Sequence, residues 1–338
     1  MSLTLSICIP TYNRAPFLDE AIGSIASQVC DDMTGVLELC ISDNASTDET
    51  GHIVERWRRC LKIPIHYSRN ERNLGADANY LRCVEMAETE FCWFLGSDDR
   101  VEQGGVRKVL DLLALYRQVA IFVFSRHDYS YDFSHYIPQP KDSLYDKLRQ
   151  AHVFKDTREA LKNVVDAFGY LSILVFKKDL WDSVEGYEPF VGSAYVHVHK
   201  FLTMMKNGAQ VMFVREAVVG WRSGNDSFSE ELKTFGRIRI DVEGFDRIGT
   251  AVFGDFSPEH RDIVNRILQI QARRWVYHIK YSATTVALQW KVLLLYIRYY
   301  WRFCRFWGTI FPLLLVPGSL MSFAKKTFRS IIPKKALI

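Results

Sequence analysis

Two adjacent carboxylates, Asp98 and Asp99, follow an apolar run and a Gly96-Ser97 turn. Hard oxygen ligands this close together suit Mg2+ or Mn2+, and a cation held there could bridge a diphosphate and neutralise the charge it gains on leaving. Taken alone, such a pair is more often a solvated strand-end turn that caps the next helix. Two further polar clusters end apolar runs in the same way: Pro10-Thr11-Tyr12-Asn13-Arg14 and Ser42-Asp43-Asn44-Ala45-Ser46. No G-x-G-x-x-G follows the first run and no G-x-x-x-x-G-K-[ST] occurs, so a phosphate group must be held by other means. The seven cysteines are scattered with no C-x-x-C pair, which argues against a disulfide framework and against a zinc site.

These clusters need elements that bring them together. Leu3–Ile9, Leu37–Ser42, Ile63–Tyr67, Phe91–Leu95 and Ala120–Phe124 are short, apolar and rich in β-branched residues, and they read as strands. Between them, Pro16–Gln28, Thr47–Trp57, Ala76–Ala87 and Gly105–Tyr116 have apolar spacing that suits helices, with Ser46 and Glu49 predicted as a capping box for the second. The alternation predicts an α/β fold, a mostly parallel sheet with helices on both faces. In such sheets ligands bind beyond the carboxyl ends of the strands, where strand order reverses. Three of the strand ends carry the polar clusters, so one rim is the expected site. The middle of the chain is less regular: an aromatic stretch Tyr129–Tyr145, a strand-like Tyr170–Phe176, a helix-like Tyr195–Lys206 and a strand at Val211–Trp221. From Pro258 to about Trp307 the pattern is helical.

The chain has 338 residues, 48% hydrophobic and 24% charged, a composition that excludes disordered and collagenous classes. The net charge of +4 conceals an asymmetry: residues 1–262 carry 30 basic and 39 acidic side chains, whereas Ile263 onward has 13 Lys or Arg and no acid. Trp, Tyr and Phe are interleaved with Lys291, Arg298, Arg302 and Arg305, a pattern expected of a helix lying in a membrane interface with its cations on anionic headgroups. Nineteen uncharged residues separate Arg305 from Lys325, close to the length of a span, but Gly308, Pro312, Pro317 and Gly318 interrupt them. A C-terminal helix packed on the body or in an oligomer interface is the competing reading. Nucleic acid is not expected as a partner, because the body is acidic and no recognition motif appears. The amino-terminal run is too short and too poor in basic residues for a signal peptide, which predicts a cytoplasmic location.

The series Cys8-Ile-Pro-Thr-Tyr-Asn-Arg14, Ile41-Ser-Asp-Asn-Ala-Ser-Thr-Asp48, Asn73-Leu-Gly-Ala-Asp-Ala-Asn79 and Phe94-Leu-Gly-Ser-Asp-Asp99 resembles the nucleotide-sugar-binding half of the family-two glycosyltransferases with a GT-A fold. The resemblance implies a nucleotide-sugar donor of the CDP, UDP, GDP or dTDP type and a divalent metal, Mg2+ or Mn2+. It implies that Pro10, Thr11 and Arg14 line the base and phosphate pocket, that Asp43 hydrogen-bonds the nucleobase, and that Asn73, Gly75 and Asn79 shape the approach to the nucleotide. Asp98 would then sit near the ribose or sugar, and Asp99 would ligate the metal. Tyr170–Asp182, Ser193-Ala-Tyr-Val-His197 and Gly224-Asn-Asp-Ser-Phe228 extend the similarity toward bacterial O-antigen, abequosyltransferase-like enzymes. That branch implies a 3,6-dideoxyhexose donor, a polyprenyl-diphosphate-linked oligosaccharide acceptor and work at the cytoplasmic face of the inner membrane, peripheral or monotopic. The expected organisation is a GT-A domain over 1–257, with a nucleotide-sugar half 1–125 and an acceptor half 126–257, followed by a helical membrane-associating region 258–338.

One departure from the family pattern concerns the catalytic base. Between Glu188 and Glu216 there is no acid, which leaves His197 and His199 as candidates; neutral imidazole can deprotonate an acceptor hydroxyl near physiological pH. A structural histidine bonded to backbone is an equal alternative for His197, and a configuration-retaining reaction would need no such base. Arg222, Asn225, Asp226 and Ser227 follow the Val211–Trp221 strand and are expected either to close over the sugar or diphosphate or to form a plain surface turn, and Tyr129, Tyr131, Phe133 and Tyr136 to form either a lid or core packing. The rival functions are a nucleotidyltransferase, which would carry a Gly-rich basic loop after the first strand, and a non-catalytic scaffold that binds nucleotide sugar or membrane.

Overall fold

The computed structural model describes residues 5–138, 148, 150–225, 227–281, 285–318 and 320, with backbone alone over 227–233. The elements in order are β1 (Leu5–Thr11), α1 (Ala15–Ala26), β2 (Leu37–Asp43), α2 (Thr50–Cys60), β3 (Ile65–Arg69), α3 (Ala76–Glu85), β4 (Phe91–Phe94), β5 (Arg100–Val101) and α4 (Gly105–Leu115). The second half holds β6 (Ile121–Tyr129), β7 (Tyr136–Ile137), β8 (Ala151–Val153), α5 (Thr157–Val164), β9 (Leu174–Lys177), α6 (Lys178–Asp182), α7 (Val196–Lys206) and β10 (Val211–Arg222). Five helices follow: α8 (Ser227–Phe253), α9 (Pro258–Ile267), α10 (Arg273–Tyr281), α11 (Val286–Tyr300) and α12 (Phe311–Leu315).

Ten strands form one sheet in the order β3-β2-β1-β4-β9-β6-β10-β5, with β7 beside β6 and β8 beside β10. The first four strands are parallel, as the strand–helix alternation predicts. The second half makes the sheet mixed, because β9 enters antiparallel between β4 and β6, and β6 pairs parallel with β10. All seven residues of both β1 and β2 are buried, the burial of strands covered on two faces. Helix α1 turns Leu18, Ala21, Ile22 and Ile25 onto that sheet; each fully buried Leu or Ile contributes about 1.5–3 kcal/mol. Strand order reverses between β1 and β4, and the region beyond their carboxyl ends is where sheets of this kind bind ligands.

Helix α2 begins later than the sequence suggests, and the capping box at Ser46 and Glu49 does not form. Ser46 Oγ instead accepts the Asn13 amide at 2.9 Å, and Asp48 Oδ1 accepts the Thr50 amide at 3.1 Å, which holds residues 46–48 in the rim loop. Helix α8 is the element that periodicity left unassigned. Its buried Ile238, Val242, Phe245, Ile248 and Val252 follow helical spacing, but Gly236, Gly244 and Gly249 interrupt the propensity. At Gly244 a methyl group would lie 2.4 Å from the Tyr195 ring, so glycine is what lets α8 approach α7.

Helices α8 to α12 enclose a second core, built from Ile238 and Val242 together with Leu268, Val276, Val292, Tyr296, Tyr300, Phe306 and Ile310. Phe245, Ile248 and Val252, further along α8, pack into the main core, so this helix spans both. Arg158 on Asp262 (2.7 Å) and Arg266 on Asp166 (2.5 Å) tie the two parts together. Among the described residues no helix is long and apolar enough to cross a membrane. The outer face of α11 exposes Val286, Trp290 and Leu294 at four-residue spacing, with Trp301 just beyond it.

Candidate active site

The ends of β1 and β2 are cross-linked by their own polar residues. Asn13 Oδ1 accepts the Thr47 amide (2.7 Å) and Asp48 Oδ2 the Ala15 amide (2.9 Å). Asn44 donates to Asn73 Oδ1 (2.7 Å) and accepts the Leu74 amide (2.8 Å), while Asn79 bridges Ser42 through both its amide and its carbonyl oxygen. Gly75 has φ +84°, the left-handed region that favours glycine, immediately before α3. Asn73, Gly75 and Asn79 therefore fix the shape of the 70–76 loop against β2.

Asp43 lies buried at the end of β2, where Oδ1 accepts the Ser46 amide (2.8 Å) and Oδ2 the Tyr67 hydroxyl (2.7 Å). Its carboxylate, together with burial, raises the Tyr67 phenol well above its usual range, burial being the larger cause. Pro10 and Thr11 pair with Ser42 and Asp43 across the parallel ladder. Thr11 Oγ1 is buried with no hydrogen-bond partner among the described residues.

Asp98 and Asp99 sit beside these residues but in different environments. Asp98 is partly exposed; its Oδ2 accepts Arg14 Nη1 and Asn225 Nδ2, each at 2.8 Å. Asp99 is 3% exposed, and its Oδ2 accepts the Tyr170 hydroxyl (2.6 Å) and Ser172 Oγ (2.5 Å). A longer contact, 3.3 Å, brings the Arg222 amide to Asp99 Oδ1. Burial, and then the neighbouring Asp98, push the Asp99 carboxyl up to about 7. At Gly96 a methyl group would meet Asp99 Oδ2 at 2.9 Å and Asp98 Oδ1 at 3.1 Å, so only glycine lets the two carboxylates crowd this turn.

The donor set suits a divalent cation. No cationic side chain reaches Asp99 among the described residues, and no hydrogen bond reaches Asp98 Oδ1. No third His, Cys, Asp or Glu joins the pair among the described residues. A cation there would take its remaining ligands from a diphosphate and water, the usual habit of Mg2+.

Arg222 closes one side. Its Nε donates to the Asp98 carbonyl (2.9 Å), it pairs with Glu20 and the Tyr131 carbonyl, and its guanidinium lies over the rings of Phe17 and Phe133. The aromatic segment 129–133 is thereby clamped beside Asp98. Asn225 reaches Asp98 as well; Asp226 and the side chain of Ser227 fall outside the described residues, as does the basic cluster from Lys325 onward.

His197 does not stand on this rim as a base. It is 2% exposed, Nε2 donates to the Phe168 carbonyl at 2.9 Å, and Tyr80, Tyr195 and Phe201 surround the ring. Burial lowers its pKa to about 4. Buried and bonded to a backbone carbonyl, His197 has the environment of the structural histidine that was the sequence's equal alternative. His199 is likewise buried, stacked on Phe190. The residues that position Asp99, namely Tyr170 and Ser172, lie more than seventy positions away in sequence and had no assigned role; only the Tyr170–Asp182 similarity singled them out. Asp77 likewise has partners that no local signal announces: buried at the start of α3, it accepts the amides of Gly192, Ala194 and Val196 and so holds the loop that enters α7.

Residues 6–182 match the family model for glycosyl transferase family 2. The chain belongs to this family. It is 31% identical over 284 residues to an abequosyltransferase of Salmonella typhimurium, covering 81% of this chain and 82% of that one. Among solved structures it resembles Staphylococcus aureus TarS in complex with UDP-GlcNAc, with a TM-score of 0.62, 15% identity, and 88% and 80% of the two chains covered. It also resembles a mannosyltransferase of Pyrobaculum calidifontis in complex with GDP-Man and Mn2+, with a TM-score of 0.56, 18% identity, and 92% and 84% covered. The fold is GT-A, with a helical C-terminal region, and the chain is a glycosyltransferase.

Proposed function

We propose that this glycosyltransferase moves a sugar from a nucleotide-sugar donor to a hydroxyl of a polyprenyl-diphosphate-linked oligosaccharide during O-antigen or other surface-polysaccharide synthesis. The observation that carries the reading is the Asp98–Asp99 pair at the β1/β4 crevice. One carboxylate is held by Arg14 and the other is buried without a cationic partner among the described residues, an arrangement that calls for a bound cation. The identity to an abequosyltransferase supports a deoxyhexose as the sugar. The nucleotide sugars and Mn2+ in the similar structures support the donor class and the metal.

In this reading residues 1–257 form the catalytic domain, 1–125 the donor half and 126–257 the acceptor half, and 258–338 associate with the membrane. Pro10, Thr11 and Asp43 line the nucleobase pocket, with Tyr67 and Ser46 holding Asp43 in place. Arg14 adds positive charge next to the diphosphate, and Asp98 lies by the ribose or sugar. Asp99 is the principal metal ligand, with Tyr170 and Ser172 fixing its oxygen. A bound Mg2+ or Mn2+ would neutralise the departing nucleoside diphosphate as a Lewis acid. The exposed Val286, Trp290, Leu294 and Trp301, flanked by Lys291 and Arg298, rest in the interface of an anionic membrane at the cytoplasmic face.

The test is thermal stabilisation by UDP, CDP, GDP and dTDP, each with and without Mn2+ or Mg2+. One nucleotide stabilising only with the metal supports the site, and CDP would point to a dideoxyhexose. Absence of any response overturns it in favour of a scaffold.

A further inference from the structure

The two hydroxyls that hold Asp99 Oδ2 have different supports. Ser172 is anchored to β4: its hydroxyl accepts the Gly96 amide and its carbonyl the Trp93 indole N–H, both at 2.8 Å. Tyr170 belongs to neither a strand nor a helix of the sheet framework. It joins two short 3-10 turns, Val165–Gly169 and Leu171–Ile173, so side-chain contacts rather than a hydrogen-bonded ladder place its ring.

The contact on that ring comes from β6. The Arg126 guanidinium lies 4.3 Å from the Tyr170 ring centroid, well within the reach of a cation–π interaction. The same guanidinium lies 4.5 Å from the ring of Trp221 on β10. Its Nε donates to Asp128 Oδ1 at 2.9 Å, two residues along the same strand and hence on the same face of the sheet. In the parallel β6–β10 ladder Trp221 pairs with Asp128, which brings all three side chains into one cluster. Trp221 in turn precedes Arg222, whose backbone amide lies 3.3 Å from Asp99 Oδ1 and whose Nε donates to the Asp98 carbonyl at 2.9 Å. One guanidinium therefore supports both oxygens of Asp99, Oδ2 through the Tyr170 hydroxyl and Oδ1 through the Trp221–Arg222 backbone. A planar guanidinium can stack on aromatic faces while bonding a carboxylate in its own plane, which the point charge of a lysine cannot reproduce.

We propose that Arg126 is a positioning residue for the cation site: by holding the Tyr170 and Trp221 rings it fixes the orientation in which Asp99 offers its oxygens to a divalent cation. The inference rests on the cation reading above. Arg126 acts through its neighbours, and groups that orient a metal ligand in this way commonly set metal affinity by roughly 10–100-fold.

The experiment titrates Mn2+ into full-length protein saturated with whichever of UDP, CDP, GDP and dTDP stabilises it most, and reads free Mn2+ from its paramagnetic resonance signal. Wild type is compared with Arg126→Met, Arg126→Lys, Tyr170→Phe and the double variant Arg126→Met with Tyr170→Phe, and thermal unfolding in EDTA shows that each is folded. Arg126→Met is expected to weaken Mn2+ binding at least tenfold, and Arg126→Lys, which keeps the charge but not the planar stack, at least threefold. The double variant should lose less than the product of the single losses, because the two residues act along one route. Mn2+ affinity within twofold of wild type in folded Arg126→Met overturns the proposal, even if its melting temperature falls, since a purely structural arginine would behave in that way. Fully additive losses in the double variant overturn it as well. Should Arg126→Met not fold, Arg126→Lys decides by the same twofold limit. A wild type that binds no Mn2+ with any of the four nucleotides removes the cation reading itself and this proposal with it, whereas loss of the proposal alone leaves that reading intact.

Discussion

Replacing Asp99 by Asn should stabilise the cation-free protein while abolishing its activity. Asp99 is buried beside Asp98, and its carboxyl is pushed up to about 7 from the 3.8 of an ordinary aspartate. Between those values the folded state binds the extra proton, so stability falls as pH rises through that window and the full cost remains above it. At 1.36 kcal/mol for each pKa unit, the cost is on the order of 4 kcal/mol at pH 8. Asn keeps an oxygen for Tyr170 and Ser172 but turns an N–H toward the Arg222 amide, which gives back about 1 kcal/mol. A net gain of about 3 kcal/mol corresponds to roughly 4 °C in melting temperature for a chain of this size. The assay is thermal unfolding in EDTA at pH 8 and pH 4.5, followed by addition of Mn2+. The variant should melt higher at pH 8, lose that advantage at pH 4.5 and show no response to Mn2+, which raises the wild type. A variant no more stable than wild type at pH 8 in EDTA would refute the reasoning.

Gly96→Ala should lower kcat/KM at least tenfold with little change in melting temperature, since its methyl group would press on both carboxylates; loss of the fold instead would show that the turn matters for stability alone. His197→Gln should leave the pH dependence of kcat/KM between pH 5.5 and 8 unaltered, whereas His197→Ala should cost about 2–3 kcal/mol of stability by opening a cavity and stranding the Phe168 carbonyl. A vanished basic or acidic limb in His197→Gln would restore a catalytic histidine. Full-length protein should float with anionic liposomes at low salt. Lys291→Glu with Arg298→Glu should reduce that binding at least 30-fold, from about 1 kcal/mol for each cation removed; flotation unchanged by the double substitution would contradict an interfacial α11.

The nucleotide half of the fold was legible because each of its elements carries a local signal. Apolar runs at β1, β2 and β4 end in polar clusters, and the motifs at Arg14, Asp43, Asn79 and Asp98-Asp99 all meet at the carboxyl ends of adjoining strands. Ser46 and Glu49 had the right spacing for a cap, but Asn13, 33 residues away, claims the serine hydroxyl. The sequence leaves His197 open between a base and a structural histidine because burial is a tertiary property: nothing local distinguishes a histidine at a solvent-facing helix start from one enclosed by Tyr80, Tyr195 and Phe201. Helix α8 escaped because its apolar stripe divides between two cores and three glycines lower its propensity. The partners of Asp99 come from Tyr170 and Ser172, which only the antiparallel insertion of β9 beside β4 brings near.

The most direct test of cation-assisted sugar transfer at the β1/β4 crevice is transfer itself. Purified protein would be given the nucleotide sugar identified by thermal stabilisation, an extract of polyprenyl-diphosphate-linked oligosaccharides, and Mn2+ or EDTA, and labelled sugar in the lipid fraction would be counted. Label should enter the lipid fraction with wild type and Mn2+, and should fall at least a hundredfold with EDTA or with Asp99→Ala. Undiminished transfer by Asp99→Ala, or no transfer by wild type from any of the four nucleotide classes, would contradict it.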